Sequence, residues 1–119
     1  MLSQIQNLSA ITFATHDMKV AIGFYRALGC EIVYGGSASE FTSLRAGLAF
    51  INLIQQPDTK TWQWWGRVIF HVDDVDVAYK QLLDAGYDTD TSPMDAEWGE
   101  RYFHVTDPDG HELSFAKRL

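Results

Sequence analysis

Apolar and polar positions follow the same order twice along the chain. When the sequence is slid against itself, ITFATHDMKVAIGFYRALGCEI lies over VIFHVDDVDVAYKQLLDAGYDT. Phe13 then falls on Phe70, Asp17 on Asp74, Val20 on Val77, Ala21 on Ala78 and Gly29 on Gly86. Both aspartates follow a strand-like run and precede a helical one. Each suits an N-cap, where a carboxylate accepts the unpaired N–H groups of the first turn. Both glycines suit the left-handed residue that stops a helix. The helices predicted between these signals run from Met18 to Leu28 and from Val75 to Ala85. Val20, Phe24 and Leu28 share one face of the first; Val75, Ala78, Leu82 and Ala85 share one face of the second.

After each helix the pattern changes to short strands. The first half predicts Glu31 to Tyr34, Glu40 to Ala46 and Leu48 to Ile54; the second predicts Asp88 to Ser92, Arg101 to Thr106 and Glu112 to Ala116. Gly35-Gly36, Ala46-Gly47 and Asp109-Gly110 mark turns. Each half therefore reads as strand, helix and three strands. The first module covers about residues 8–55, the linker about 56–65 and the second module about 66–117. Strand alternation sorts the faces. Ile11 and Phe13, Val68, Phe70 and Val72, Phe103 and Val105, and Leu113 and Phe115 should pack on the helices. Ala10, Thr12 and Ala14, Arg67, Ile69 and His71, Tyr102 and His104, and Glu112 and Ser114 should line the opposite, mixed face.

Composition narrows the function. A chain of 119 residues, 46% hydrophobic, can bury the core of a single domain. Its net charge of -7 disfavours nucleic acid and anionic membrane surfaces, and suits neutral or cationic small ligands. No apolar run is long enough to span a bilayer, and MLSQIQNLSA lacks the basic start and apolar stretch of a signal peptide. Cys30 is the one cysteine, so no internal disulfide forms and a reducing cytoplasm is expected.

FYRALG, VDDVDVAYKQLLDAG and WGERYFHVTDPDGHELSF, in this order and spacing, resemble the vicinal oxygen chelate superfamily. It groups glyoxalase I, extradiol dioxygenases, fosfomycin-modifying enzymes and bleomycin-resistance proteins. The resemblance spans about residues 8–117. It implies an α+β fold of two βαβββ modules whose curved mixed sheet lines a cleft, usually in a homodimer. It also implies a divalent metal held early in each module's first strand and by a glutamate in each module's last. Those positions fall on Ala10, Arg67, Asn52 and Ser114. None of these is a good anionic or imidazole ligand, and Arg67 is a fixed cation. The reading is a lost metal site, with no cofactor.

Four tryptophans make aromatic stacking the leading candidate chemistry. Trp98 is expected to touch ligand, as are members of the group Trp62, Trp64 and Trp65; the alternative is that they fill core or an interface. Trp98-Gly99 with Arg101, Phe103 and DPDG is similar to the same stretch in bleomycin-resistance proteins, which sequester a drug without chemistry. Asp95, Glu97 and Glu100 flank Trp98, and Glu112 faces the cleft with Asn52, Arg67, His71, Tyr102, His104 and Ser114. An acidic aromatic cleft fits a cationic or aromatic ligand. Arg67 needs a partner, which is Glu112, Glu100 or an anionic group on a ligand, while Arg101 and His111 read as structural. The expected function is metal-independent sequestration of a small molecule, with no catalytic residue. The alternatives are a lyase, isomerase or dioxygenase with a metal at His71 or His104, and an interaction module whose tryptophans meet a partner.

Overall fold

The computed structural model describes residues 2–119, and the chain divides between Pro57 and Asp58 into two compact units. In the first unit, β1 (Ala10–Thr15) leads into α1 (Met18–Ala27), followed by β2 (Glu31–Tyr34), β3 (Phe41–Ala46) and β4 (Ala49–Gln55). The second runs β5 (Arg67–His71), α2 (Val75–Asp84), β6 (Met94–Asp95), β7 (Glu100–Thr106) and β8 (Glu112–Arg118). Each unit forms a four-stranded sheet of one topology, β1-β4-β3-β2 and β5-β8-β7-β6. The first and last strands of each module pair in parallel and the other neighbours are antiparallel. This is the expected α+β fold of two βαβββ modules.

The helix signals act as the sequence predicts. Asp17 Oδ1 accepts from the Val20 amide at 3.2 Å, and Asp74 Oδ1 from the Val77 amide at 3.1 Å. Gly29 and Gly86 have φ of 90° and 91°, the left-handed conformation past each helix end.

Two readings need correction. Val20 is not on the buried face of α1 but exposed. The core stripe is Met18, Ala21, Ile22 and Tyr25, at the i, i+3, i+4, i+7 spacing of one helical face, and Val20 lies off it. Ala85, the C-cap of α2, is likewise exposed. The second is the strand expected from Asp88 to Ser92. There the Asp90 and Thr91 amides converge on the His104 carbonyl, Thr91 Oγ1 takes the His104 amide, and Thr89 Oγ1 donates to the Thr91 carbonyl. These side-chain bonds compete with a regular ladder. Pairing resumes only after Pro93, in the two-residue β6.

One face of each sheet is packed by its helix. Phe13, Leu44, Ile51 and Leu53 are buried with α1, where the Phe13 and Tyr25 rings stack at 5.6 Å. Phe103, Val105, Leu113 and Phe115 are buried with Val75, Ala78 and Leu82 of α2. Phe103 stacks on Phe115 at 5.3 Å and meets Tyr79 edge-on at 5.4 Å. Arg101 ties α2 to the strands. It grips both Asp76 carboxylate oxygens, at 2.8 and 2.9 Å, and bonds Asp95 at 3.0 Å. These bonds hold the Asp76 carboxyl below its ordinary range.

Candidate functional site

The opposite face of the second sheet gathers most of the residues singled out by sequence. Alternation along β5, β7 and β8 places Arg67, Ile69, His71, Tyr102, His104, Glu112 and Ser114 on it. Register sets them in rows: Arg67 beside Glu112, Ile69 beside Ser114 and then His104, and His71 beside Ala116 and then Tyr102. Glu100 follows on β7 and Met94 on β6.

Arg67 has the partner that its charge requires. Its Nη2 donates to Glu112 Oε1 at 2.7 Å. Its Nη1 donates to the Leu113 carbonyl at 2.8 Å and to Ser114 Oγ at 3.1 Å, and lies 3.1 Å from His104 Nδ1. Ser114 Oγ is 2.6 Å from the same nitrogen. Ser114 is buried on the inner strand β8, yet its hydroxyl is fully engaged. Burial, then the Arg67 charge, pushes the His104 pKa below the usual histidine value.

Beside this polar cluster runs an aromatic series. Trp98 is 70% exposed, yet its ring stacks on Tyr102 at 5.7 Å and its Nε1–H donates to Glu100 Oε1 at 2.8 Å. The Tyr102 ring lies 5.0 Å from that of His104, and the Tyr102 hydroxyl meets Met94 Sδ at 3.3 Å. Ile69 is 66% exposed within the same face. Ile69 and Met94 were not singled out as site residues from sequence; Glu100 was named beside Trp98 and as a partner for Arg67, a place that Glu112 takes. Strand alternation marks Ile69; the irregular path into β6 hides Met94.

The other tryptophans part company. Trp62 stacks on His111 at 5.5 Å and donates to the Asp109 carbonyl at 2.9 Å. Trp65 meets the same ring edge-on and donates to His111 Nδ1 at 2.9 Å. Both fasten the linker to the DPDG turn, where the buried Asp107 carboxylate accepts the Asp109 and His111 amides. Trp64 is 74% exposed. His111 is structural in this setting, as its turn position implies.

In the first unit the open face carries Thr12, Ser43, Asn52 and Arg45. Asn52 Nδ2 donates to Thr12 Oγ1 at 3.3 Å, and Arg45 lies over the Phe50 ring at 5.0 Å. Asn52 sits opposite Thr12 as Ser114 sits opposite Ile69, so the two occupy equivalent places in their modules. Ala10 is the counterpart of Arg67.

The four positions where the resemblance places metal ligands do not suit a divalent ion. They offer a methyl, an amide, a guanidinium and a hydroxyl, and the guanidinium already donates to that hydroxyl. Among the described residues, no three His, Cys, Asp or Glu side chains are grouped to hold a metal. Burial pushes the Cys30 thiol up to about 11, away from the thiolate a nucleophile needs.

Comparisons place this geometry among known proteins. No curated protein matches the chain. Solved structures share its fold. TioX from Micromonospora sp. ML1 is 24% identical, with a TM-score of 0.78 over 96% of this chain and 100% of its own. A bleomycin-binding protein complexed with bleomycin is 21% identical, with a TM-score of 0.74 over 97% and 100%. Lactoylglutathione lyase from Agrobacterium tumefaciens is 15% identical, with a TM-score of 0.74 over 94% and 93%. The sequence model of one family matches residues 7–115, nearly the whole chain. The chain therefore belongs to the glyoxalase/bleomycin resistance protein/dioxygenase superfamily.

Proposed function

We propose that this protein binds and sequesters a small flat ligand, aromatic and neutral or cationic, without metal and without breaking a bond. It would act in the cytoplasm as a homodimer, in the manner of the bleomycin-resistance branch of its superfamily. The observation that carries the reading is Trp98. A large ring left 70% exposed is nevertheless held in one orientation by the Tyr102 stack and the Glu100 hydrogen bond. Orientation before binding lowers the entropy cost of stacking a ligand on that ring. The donor set at the four metal positions and the bleomycin proteins among the fold's neighbours support the same reading.

Charge on this face supports aromatic stacking more than acid–cation attraction. Glu112 is neutralised by Arg67, and Glu100 lies opposite Arg118 in register. Glu100 keeps its charge beside Trp98, and beyond it the pull on a cation is the long-range field of a chain with net charge -7, which salt screens.

The test is a titration of chelator-treated protein with cationic aromatic compounds, bleomycin included, read by tryptophan fluorescence. Saturable quenching that is lost in folded Trp98→Ala is expected. Silence without metal, followed by binding or turnover when a divalent ion is restored, would move the chemistry to a metal at His71 or His104.

A further inference from the structure

We infer that Arg67 and Ser114 fix His104 as a neutral imidazole with its proton on Nε2, and that this N–H selects ligands carrying a hydrogen-bond acceptor beside their flat ring. The inference rests on the binding role proposed for this face and names the chemistry of its ligand.

Donors and acceptors around the ring fix where its proton sits. An arginine guanidinium only donates. Arg67 Nη1 carries two hydrogens. One is taken by the Leu113 carbonyl at 2.8 Å. The other points to Ser114 Oγ and His104 Nδ1, both at 3.1 Å. A protonated Nδ1 would set N–H against N–H at that distance. Nδ1 therefore offers its lone pair, and the Ser114 hydroxyl, which accepts from Arg67, donates its own proton to Nδ1 at 2.6 Å. With Nδ1 unprotonated, the proton of the neutral ring sits on Nε2.

That N–H has no partner among the described residues. It is also not fully buried. Every buried side-chain nitrogen or oxygen on a half-buried residue has a partner, and Nε2 of half-buried His104 has none. The ring carrying it lies 5.0 Å from Tyr102, which stacks under Trp98 at 5.7 Å. One flat ligand laid along β7 would meet the stacking surface and the donor together. A site with an oriented N–H rejects an isostere lacking an acceptor, because the donor loses its water and gains nothing.

Two measurements test this. Two-bond proton–nitrogen spectra of ligand-free protein near neutral pH should show His104 protonated at Nε2 and bare at Nδ1. A Ser114→Ala variant should relax that preference towards a mixture. A ring protonated at Nδ1, or at both nitrogens, overturns the assignment. The second measurement compares naphthylmethylammonium with its quinolinyl analogue, which differs by one ring nitrogen, in chemical-shift titrations. The quinolinyl compound should bind about tenfold tighter. The advantage should survive in His104→Gln, whose amide also donates, and vanish in His104→Phe. Equal binding of the pair overturns the inference and leaves the stacking role intact. Failure of both to bind overturns the stacking role, and the ligand class with it.

Discussion

Trp98 stands on the surface, so its two possible roles separate cleanly. If it stacks on ligand, Trp98→Ala should weaken binding by about 2 kcal/mol. The urea midpoint should stay nearly unchanged, since the ring is 70% exposed. Arg67 is different in kind. Arg67→Met removes the donor to the Leu113 carbonyl, leaves Glu112 without its ion-pair partner and leaves Ser114 Oγ with His104 alone. Its side chain is 26% exposed and that of Glu112 33%, so screening trims the ionic part. A loss of about 1–2 kcal/mol in unfolding free energy is expected. His104 links the site to pH. Its folded pKa lies below the unfolded value of about 6.5, so the unfolded chain binds the proton more readily. The stability that it contributes is whole above that value and is lost as pH falls through the window beneath it. Arg67, Asp90 and Glu112 set the local field. Unfolding curves between pH 5 and 7, about the titration range of histidine, should show a slope that shrinks in His104→Gln.

At the scale of elements, the caps and the turns carry the local code. Asp17→Ala or Asp74→Ala removes the side-chain acceptor that caps each helix start. Each should cost about 1 kcal/mol in denaturant unfolding. Gly35 adds a constraint that sequence alone does not reveal. Its φ is 82°, and a Cβ there would collide with the Phe41 carbonyl across the β2–β3 turn. Gly35→Ala should therefore destabilise far more than Gly29→Ala, where φ is 90° but the space is open. The same calorimetric scan of both variants checks the ordering. The short β6 shows the limit of alternation as a guide. Asp88 to Ser92 has strand-like spacing, yet Asp90 and Thr91 satisfy the His104 backbone by amide and side chain, while Thr89 Oγ1 donates to the Thr91 carbonyl.

At the scale of the whole molecule, the repeat is legible in the amino-acid sequence because each module solves the same packing problem. Apolar positions two apart on strands and three or four apart on helices can meet in only a few ways, and capped starts and glycine stops fix the ends. From these, strand order within a module follows little, but element order follows fully. That Ala10, Asn52, Arg67 and Ser114 stand where the resemblance places metal ligands is also readable, because it depends on residue type and position rather than contact. Packing decides the rest. Trp62, Trp65 and Trp98 look alike in sequence; two close over His111 and one is left presenting its ring. Val20 and Ile22 are both apolar helix residues, and only their angle to the sheet exposes one and buries the other. The Arg67–Ser114–His104 network joins β5, β8 and β7, which lie side by side only through a parallel pairing of distant strands. Sequence alone determined the modules and the helix ends, because these follow from local periodicity and residue type. The tertiary structure alone decided which rings face solvent and which groups meet His104 Nδ1, because both depend on neighbours brought together across the sheet.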